Sequence, residues 1–113
     1  MGGRTLVVGL VLAAAFVGAR PGIGGAESLS PGAQRGLTFI QTHCSRCHAI
    51  GKAGESPLAI APPFRTLHTK YPVESLQEAL AEGIVTGHPT MPQFQLDPAQ
   101  INDVIAYLKW LER

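Results

Sequence analysis

What this chain has little of narrows it at once. Among its 113 residues are only two cysteines, two methionines and one tryptophan, and 9 basic side chains stand against 8 acidic ones. Two cysteines cannot supply the four ligands of a structural zinc site, and two that lie this close together in sequence close no stabilising loop. The near-balance of charge leaves no basic footprint for nucleic acid. No internal repeat recurs, and no stretch alternates apolar and polar residues as a half-buried strand would. The longest uncharged apolar run, Thr5 to Ala19, falls short of the roughly 17–25 residues of a spanning helix. Large apolar side chains are scarce as well. Beyond residue 26 the aromatic residues are Phe39, Phe64, Phe94, Tyr71, Tyr107 and Trp110. That is a thin core for so small a domain, which usually needs a staple.

The first 26 residues read as a segment apart. Arg4 makes a positive start, the Thr5–Ala19 run follows, and Val17-Gly18-Ala19 and Gly24-Gly25-Ala26 both fit a cleavage site. Residues 1–26 are therefore expected to be a signal peptide and spacer, cut after Ala19 or Ala26, with an uncleaved anchor as the alternative. Arg20 to Gly25, rich in glycine and holding Pro21, reads as flexible. Residues 27–113 then form a single domain. Losing Arg4 and Arg20 moves the formal net charge from +1 to −1.

The chemistry-bearing stretch is Cys44-Ser45-Arg46-Cys47-His48. A C-x-x-C pair followed at once by histidine is the attachment signature of a c-type haem. Two thiols three positions apart on a helical turn can each add to one vinyl group of a single porphyrin. His48 then lies on the same side and can bring an imidazole nitrogen to the iron. A thioredoxin-like redox pair would want a preceding strand and a βαβ unit, and neither is present. A covalently held, flat, apolar cofactor would also supply the missing core.

The rest of the chain reads as helices and loops. Ser30 and Pro31 start a helix whose Ala33, Leu37 and Ile40 recur at helical spacing and which runs into the haem motif. Gly36 inside it costs about 1 kcal/mol relative to alanine, which marks either a close contact or a tolerated imperfection. Ala49 to Ala61 is a loop. Ala61-Pro62-Pro63-Phe64 then exposes carbonyls without competing donors. A ligating histidine must donate its second nitrogen somewhere, and the Pro62 carbonyl is the candidate acceptor for His48. Pro72 to Glu82 is predicted as a second helix with Leu76 and Leu80 on one face and Gly83 as its stop. Asp97, Pro98 and Gln100 open a last helix with the apolar stripe Ile101, Val104, Ile105, Leu108 and Leu111, flanked by Tyr107. Asp103, Lys109 and Glu112 are expected to face away.

A low-spin haem needs a sixth ligand. Met1 leaves with the signal, so Met91, in a loop stiffened by Pro89 and Pro92, is the candidate thioether. His88 is the rival and would give bis-histidine ligation. His43 and His68 are weaker candidates, and His43 abuts Cys44, so its ring is expected to point away from the iron.

Together these parts resemble a class I c-type cytochrome of the small bacterial periplasmic kind. The resemblance covers about Pro31 to Leu111. It rests on Gly36, the haem motif, Ala61-Pro62-Pro63-Phe64, Thr90-Met91-Pro92 and Asp103-Val104-Ile105-Ala106-Tyr107-Leu108. It implies an all-α fold of three to five helices wrapped around one covalent haem c, with the first and last helices crossing near Gly36 and Tyr107. It also implies that the Pro62 carbonyl receives the His48 proton and that Met91 is the distal ligand. Two positions depart from the family's habit: Ile40 where an aromatic is common, and Ala61 where glycine is.

The expected function is one-electron transfer in the periplasm by a protein that transforms no substrate. It would act as a monomer that meets redox partner proteins (an oxidase, a reductase or a dehydrogenase) through small transient contacts. With lysine only at positions 52, 70 and 109, no strongly basic docking ring is evident. The alternatives are a dedicated haem subunit of a dehydrogenase, a haem enzyme or gas sensor with an open sixth position, and a thiol–disulfide oxidoreductase. Four-helix cytochromes of the open-site kind carry the motif near the C-terminus, whereas Cys44 comes early.

Overall fold

Helix α1, Pro31–His43, begins where Ser30 and Pro31 predict. The Ser30 side chain accepts the Ala33 N–H at 3.1 Å, and Pro31 takes a first-turn position that needs no donor. Its buried residues, Ala33, Gly36 and Ile40, lie along one face at helical spacing. The computed structural model describes residues 1–3, 5–18, 28–84 and 90–113. Among these the chain forms three α-helices and two short 3₁₀ turns with no strand, an all-α architecture. Residues 5–18 carry no regular structure, and their large apolar side chains are exposed. The two expected cleavage points fall at Ala19 and Ala26, outside the described residues.

Helix α3, Pro98–Leu111, is capped reciprocally: Asp97 Oδ1 accepts the Gln100 N–H at 2.8 Å and Gln100 Oε1 accepts the Asp97 N–H at 3.1 Å. Ile101, Val104, Ile105, Leu108 and Leu111 are all buried, as the stripe requires, and Tyr107 is buried with them. This face packs against α1 and forms most of the core. Gly36 decides how closely. A Cβ there would overlap the Asp103 carbonyl oxygen and sit 2.6 Å from its carbon. The glycine is thus a close contact, not a tolerated imperfection, and the crossing lies at Asp103–Val104, one turn before Tyr107.

Two expectations need correction. Asp103 does not face away: its carboxylate turns to α1 and takes a bidentate pair from Arg35, both contacts at 2.8 Å. The guanidinium holds the Asp103 carboxyl below its usual range, mainly through the hydrogen bond. Lys109 is exposed, but it reaches Glu74 at 2.8 Å and Glu112 at 3.5 Å. Pro72–Glu82 is not one helix either. It divides into a 3₁₀ turn, Val73–Ser75, and a short helix α2, Leu76–Glu82. Pro72 is extended and Ser75 makes no side-chain cap, so the first turn tightens and carries Val73 into the core at 1% exposure. Gly83 ends α2 at φ +100°, where a side chain would be strained. A further 3₁₀ turn, Phe64–Thr69, follows the double proline with Leu67 buried.

The segment after the haem motif is tied to α3. The Tyr107 hydroxyl donates to the Ile50 carbonyl at 2.6 Å. Lys52 Nζ donates to the Arg113 carbonyl at 2.6 Å and lies 4.2 Å from the centre of the Trp110 ring. Both bonds bring donors to carbonyls that would otherwise face water or lie unpaired.

Gly36→Ala tests the crossing. Alanine gains about 1 kcal/mol in helix propensity, but its methyl meets backbone, which cannot rotate away as a side chain can. Overpacking of this kind costs about 1–3 kcal/mol, so the substitution should lower the melting temperature of the haem-loaded protein. An unchanged or raised melting temperature would contradict the close contact.

Candidate functional site

Helix α1 delivers the motif. The Cys44 N–H continues the helical pattern to the Ile40 carbonyl at 2.8 Å. The Cys47 and His48 N–H groups then both turn back to the Cys44 carbonyl, at 3.2 and 3.0 Å. This single turn brings Cys44, Cys47 and His48 to the wall of one cavity. The following loop is folded over it by three bonds: Leu58 N–H to the Cys47 carbonyl at 3.1 Å, Ala49 N–H to Ser56 Oγ at 3.0 Å, and Phe64 N–H to the Ala49 carbonyl at 2.9 Å.

The fold-back places the Pro62 carbonyl 2.8 Å from His48 Nδ1. A carbonyl can only accept, so Nδ1 carries the proton and Nε2 keeps a free lone pair. The Phe64 ring tilts against the imidazole with centroids 4.7 Å apart. The ring is therefore held by a hydrogen bond on one atom and by packing on its face. Ala61 is buried, and none of the described residues other than glycine takes positive φ, so the place where the family often has glycine does not require one here.

The cavity, of about 350 Å³, is lined by Cys44, Cys47, His48, Pro62 and Met91 together. Phe39, Ile40, Phe64, Leu67, Leu80, Phe94 and Leu108 supply much of the remaining wall. Leu58 and Ile60, in the same lining, are 37% and 58% exposed. A flat apolar group bound here would cover side chains that otherwise face water, each stabilising by about 25 cal/mol per Å² removed. Met91 is half-buried in an irregular segment. That segment is held by Ile84 N–H to the Phe94 carbonyl at 3.2 Å and Leu96 N–H to the Leu80 carbonyl at 2.8 Å.

The histidines separate. His43 also lines the cavity, but its ring is packed against Phe39 at 4.4 Å and meets the edge of Phe94 at 5.8 Å. His68 is exposed and absent from the lining. His88 lies outside the described residues. Burial pushes the Cys44 thiol up to about 11, opposite to the lowered value of an attacking thiol. Among the described residues no group of three His, Cys, Asp or Glu side chains could hold a metal ion by itself.

A family model for cytochrome c matches residues 33–112. The chain belongs to the cytochrome c family. It is 29% identical over 110 residues to a protein named cytochrome c-553-like from Synechocystis sp., covering 95% of each chain. It is 27% identical over 82 residues to cytochrome c-552 of Bradyrhizobium diazoefficiens, covering 73% of this chain and 77% of that one. No solved structure matches it significantly. As a cytochrome c of the class I fold it is a haem-based electron carrier whose cofactor is a covalently attached haem c, and Cys44 and Cys47 fit the attachment motif. The residues present fit the group: two thiols, an imidazole with its spare nitrogen fixed, and an apolar cavity at the end of the same helix.

Sequence reasoning missed several lining residues of this cytochrome, among them Phe39, Phe94, Lys70 and Tyr71. Their signal is three-dimensional, since they come from three separate segments. One clue was available: Leu58 and Ile60 are large apolar side chains in a loop rich in glycine, alanine and other small or polar residues.

Cys44→Ala should leave at most one covalent bond to the cofactor and mostly prevent maturation. Haem staining after denaturing electrophoresis reads the outcome. Staining equal to that of the parent protein would remove Cys44 from the site.

Proposed function

We propose that this cytochrome is an exported, periplasmic one-electron carrier whose haem iron is held by His48 on one side and Met91 on the other. The observation that carries the reading is that both side chains line one apolar cavity with both cysteines, while His48 Nδ1 is committed to Pro62. When bound, the haem supplies a one-electron ferric–ferrous couple. The chain's part is to bind, orient and exclude water. The Pro62 carbonyl sets the His48 tautomer and raises the basicity of Nε2. A thioether ligand favours the ferrous state and raises the potential. Pro92 and the bonds at Phe94 and Leu96 restrain the Met91 segment beforehand, so little ordering is needed at the moment of transfer. The apolar wall lowers the local dielectric and keeps water from the metal. Redox partners would meet the cavity's exposed edge.

Export rests on the residue pattern before Glu27. It is consistent with residues 5–18 standing exposed and without regular structure. The mature domain would begin at Arg20 or Glu27.

Met91→Ala should turn the ferric haem high-spin and lower its potential, read by optical and magnetic-resonance spectra in both oxidation states. An unchanged spectrum would move the distal ligand to His88. N-terminal sequencing of the exported protein should find Arg20 or Glu27 first. An intact Met1 would instead indicate an uncleaved anchor.

A further inference from the structure

We propose that His43 is a positioning residue for the distal side: its ring fastens the segment that carries Met91 to the end of α1, and so decides how readily an outside ligand reaches the iron. The inference rests on the Met91 reading above and concerns what holds that ligand in place. Three rings run across the rim of the cavity from α1 to this segment. Phe39, one turn before His43 on the same helix, tilts against the imidazole at 4.4 Å and 40°, the i, i+4 spacing that brings helical side chains together. The imidazole in turn meets Phe94 edge-on, with centroids 5.8 Å apart and planes at 65°. In that arrangement the electron-rich face of one ring attracts the positive edge of another. All three rings line the cavity together with Met91. Phe39 and Phe94 are half-buried, whereas His43 is exposed. An imidazole suits such a place, because it offers a flat body to its neighbours and nitrogen atoms to water.

Local structure explains why the contact falls at Phe94. This residue stands three positions after Met91, and its carbonyl accepts the Ile84 N–H at 3.2 Å, closing the loop that contains Met91. Two positions on, the Leu96 N–H bonds to the Leu80 carbonyl at 2.8 Å. Both bonds tie the segment to α2 or to the residues just beyond it. The ring contact with His43 ties it to α1 instead, the helix that is capped by Cys44 and so ends at the covalent attachment. The attached edge of the cofactor and the distal segment are thus held by the same short stretch, Phe39 to Cys44. A histidine in the last turn of a helix also suits the negative end of its dipole, but that role requires no ring on either side. With its own ring engaged by Phe39 and Phe94, His43 acts on the iron through the segment.

An outside ligand such as imidazole must displace the Met91 thioether, one coordinate bond replacing another with no electron transferred. Its apparent affinity therefore contains the cost of releasing the Met91 segment, and a contact that holds the segment closed lowers that affinity. The test is a titration of the ferric, haem-loaded protein with imidazole at one fixed neutral pH, followed by the near-infrared sulfur-to-iron band and the visible spectrum. The parent and His43→Ala proteins should both show the band before imidazole is added, and His43→Ala should bind imidazole about three- to tenfold more tightly. His43→Phe keeps both ring contacts and should return the affinity to the parent's. Phe94→Ala should tighten binding too. The double variant should gain less than the product of the two single effects, because either substitution removes the same contact. Leu111→Ala, in the α1–α3 core and outside the cavity lining, should lower the melting temperature and leave the imidazole affinity in place, since release of one segment is a local opening. Equal affinities in the parent, His43→Ala and Phe94→Ala proteins, all showing the band, would overturn the inference and leave Met91 as the ligand. Single effects that multiply independently in the double variant would also overturn it. Absence of the band from the parent protein would remove Met91 from the iron, and the inference with it.

Discussion

The backbone contact between α1 and α3 is the constraint on which the other elements depend. With no side chain at Gly36, the first helix lies directly on the Asp103–Val104 peptide, and Arg35 and Asp103 lock the pair beside it. The angle and depth of that crossing determine where the last turn of α1 ends. Since the motif begins at the next residue, they determine where two sulfurs and an imidazole are delivered. Nothing downstream could correct a misplaced first helix, because the loop from Ala49 to Phe64 takes its own position from carbonyls and N–H groups of the motif.

The same economy explains why so few large side chains suffice. The core proper is the α1–α3 seam, closed by Leu67, Val73 and Leu96. On its other flank the protein makes a cavity and lines it with Phe39, Phe64 and Phe94, half-buried rings that would be poor core residues without a further apolar surface to meet. Composition, cavity and family membership agree that this surface is the haem. The polar groups within the cavity are sparse and separated by role, with one imidazole nitrogen bound to a carbonyl and one lysine–tyrosine pair on the wall.

Much of this was legible in the residues. Ser30-Pro31 and Asp97-Pro98-Gln100 are local signals, satisfied within one helical turn, and both helices begin where those signals stand. The haem motif is equally local. The carbonyl partner of His48 could be named because a double proline leaves acceptors without donors. What could not be read depends on distance through space. Asp103 looks like a surface residue on its own helix, and only the crossing turns it toward Arg35. Pro72–Glu82 has helical spacing throughout, yet burial of Val73 tightens its first turn. Lys70 and Tyr71 look like ordinary loop residues until the 3₁₀ turn presents them to the cavity.

Placing both cysteines at the end of one helix also affects the denatured chain. A cofactor bonded through adjacent turns cannot diffuse off when the protein melts, so refolding never has to recapture it from solution. Its effective concentration beside the apolar segments remains that of a short tether. Collapse can begin around a hydrophobic nucleus already attached to the chain, and thermal unfolding of the mature carrier should be largely independent of free haem in the medium.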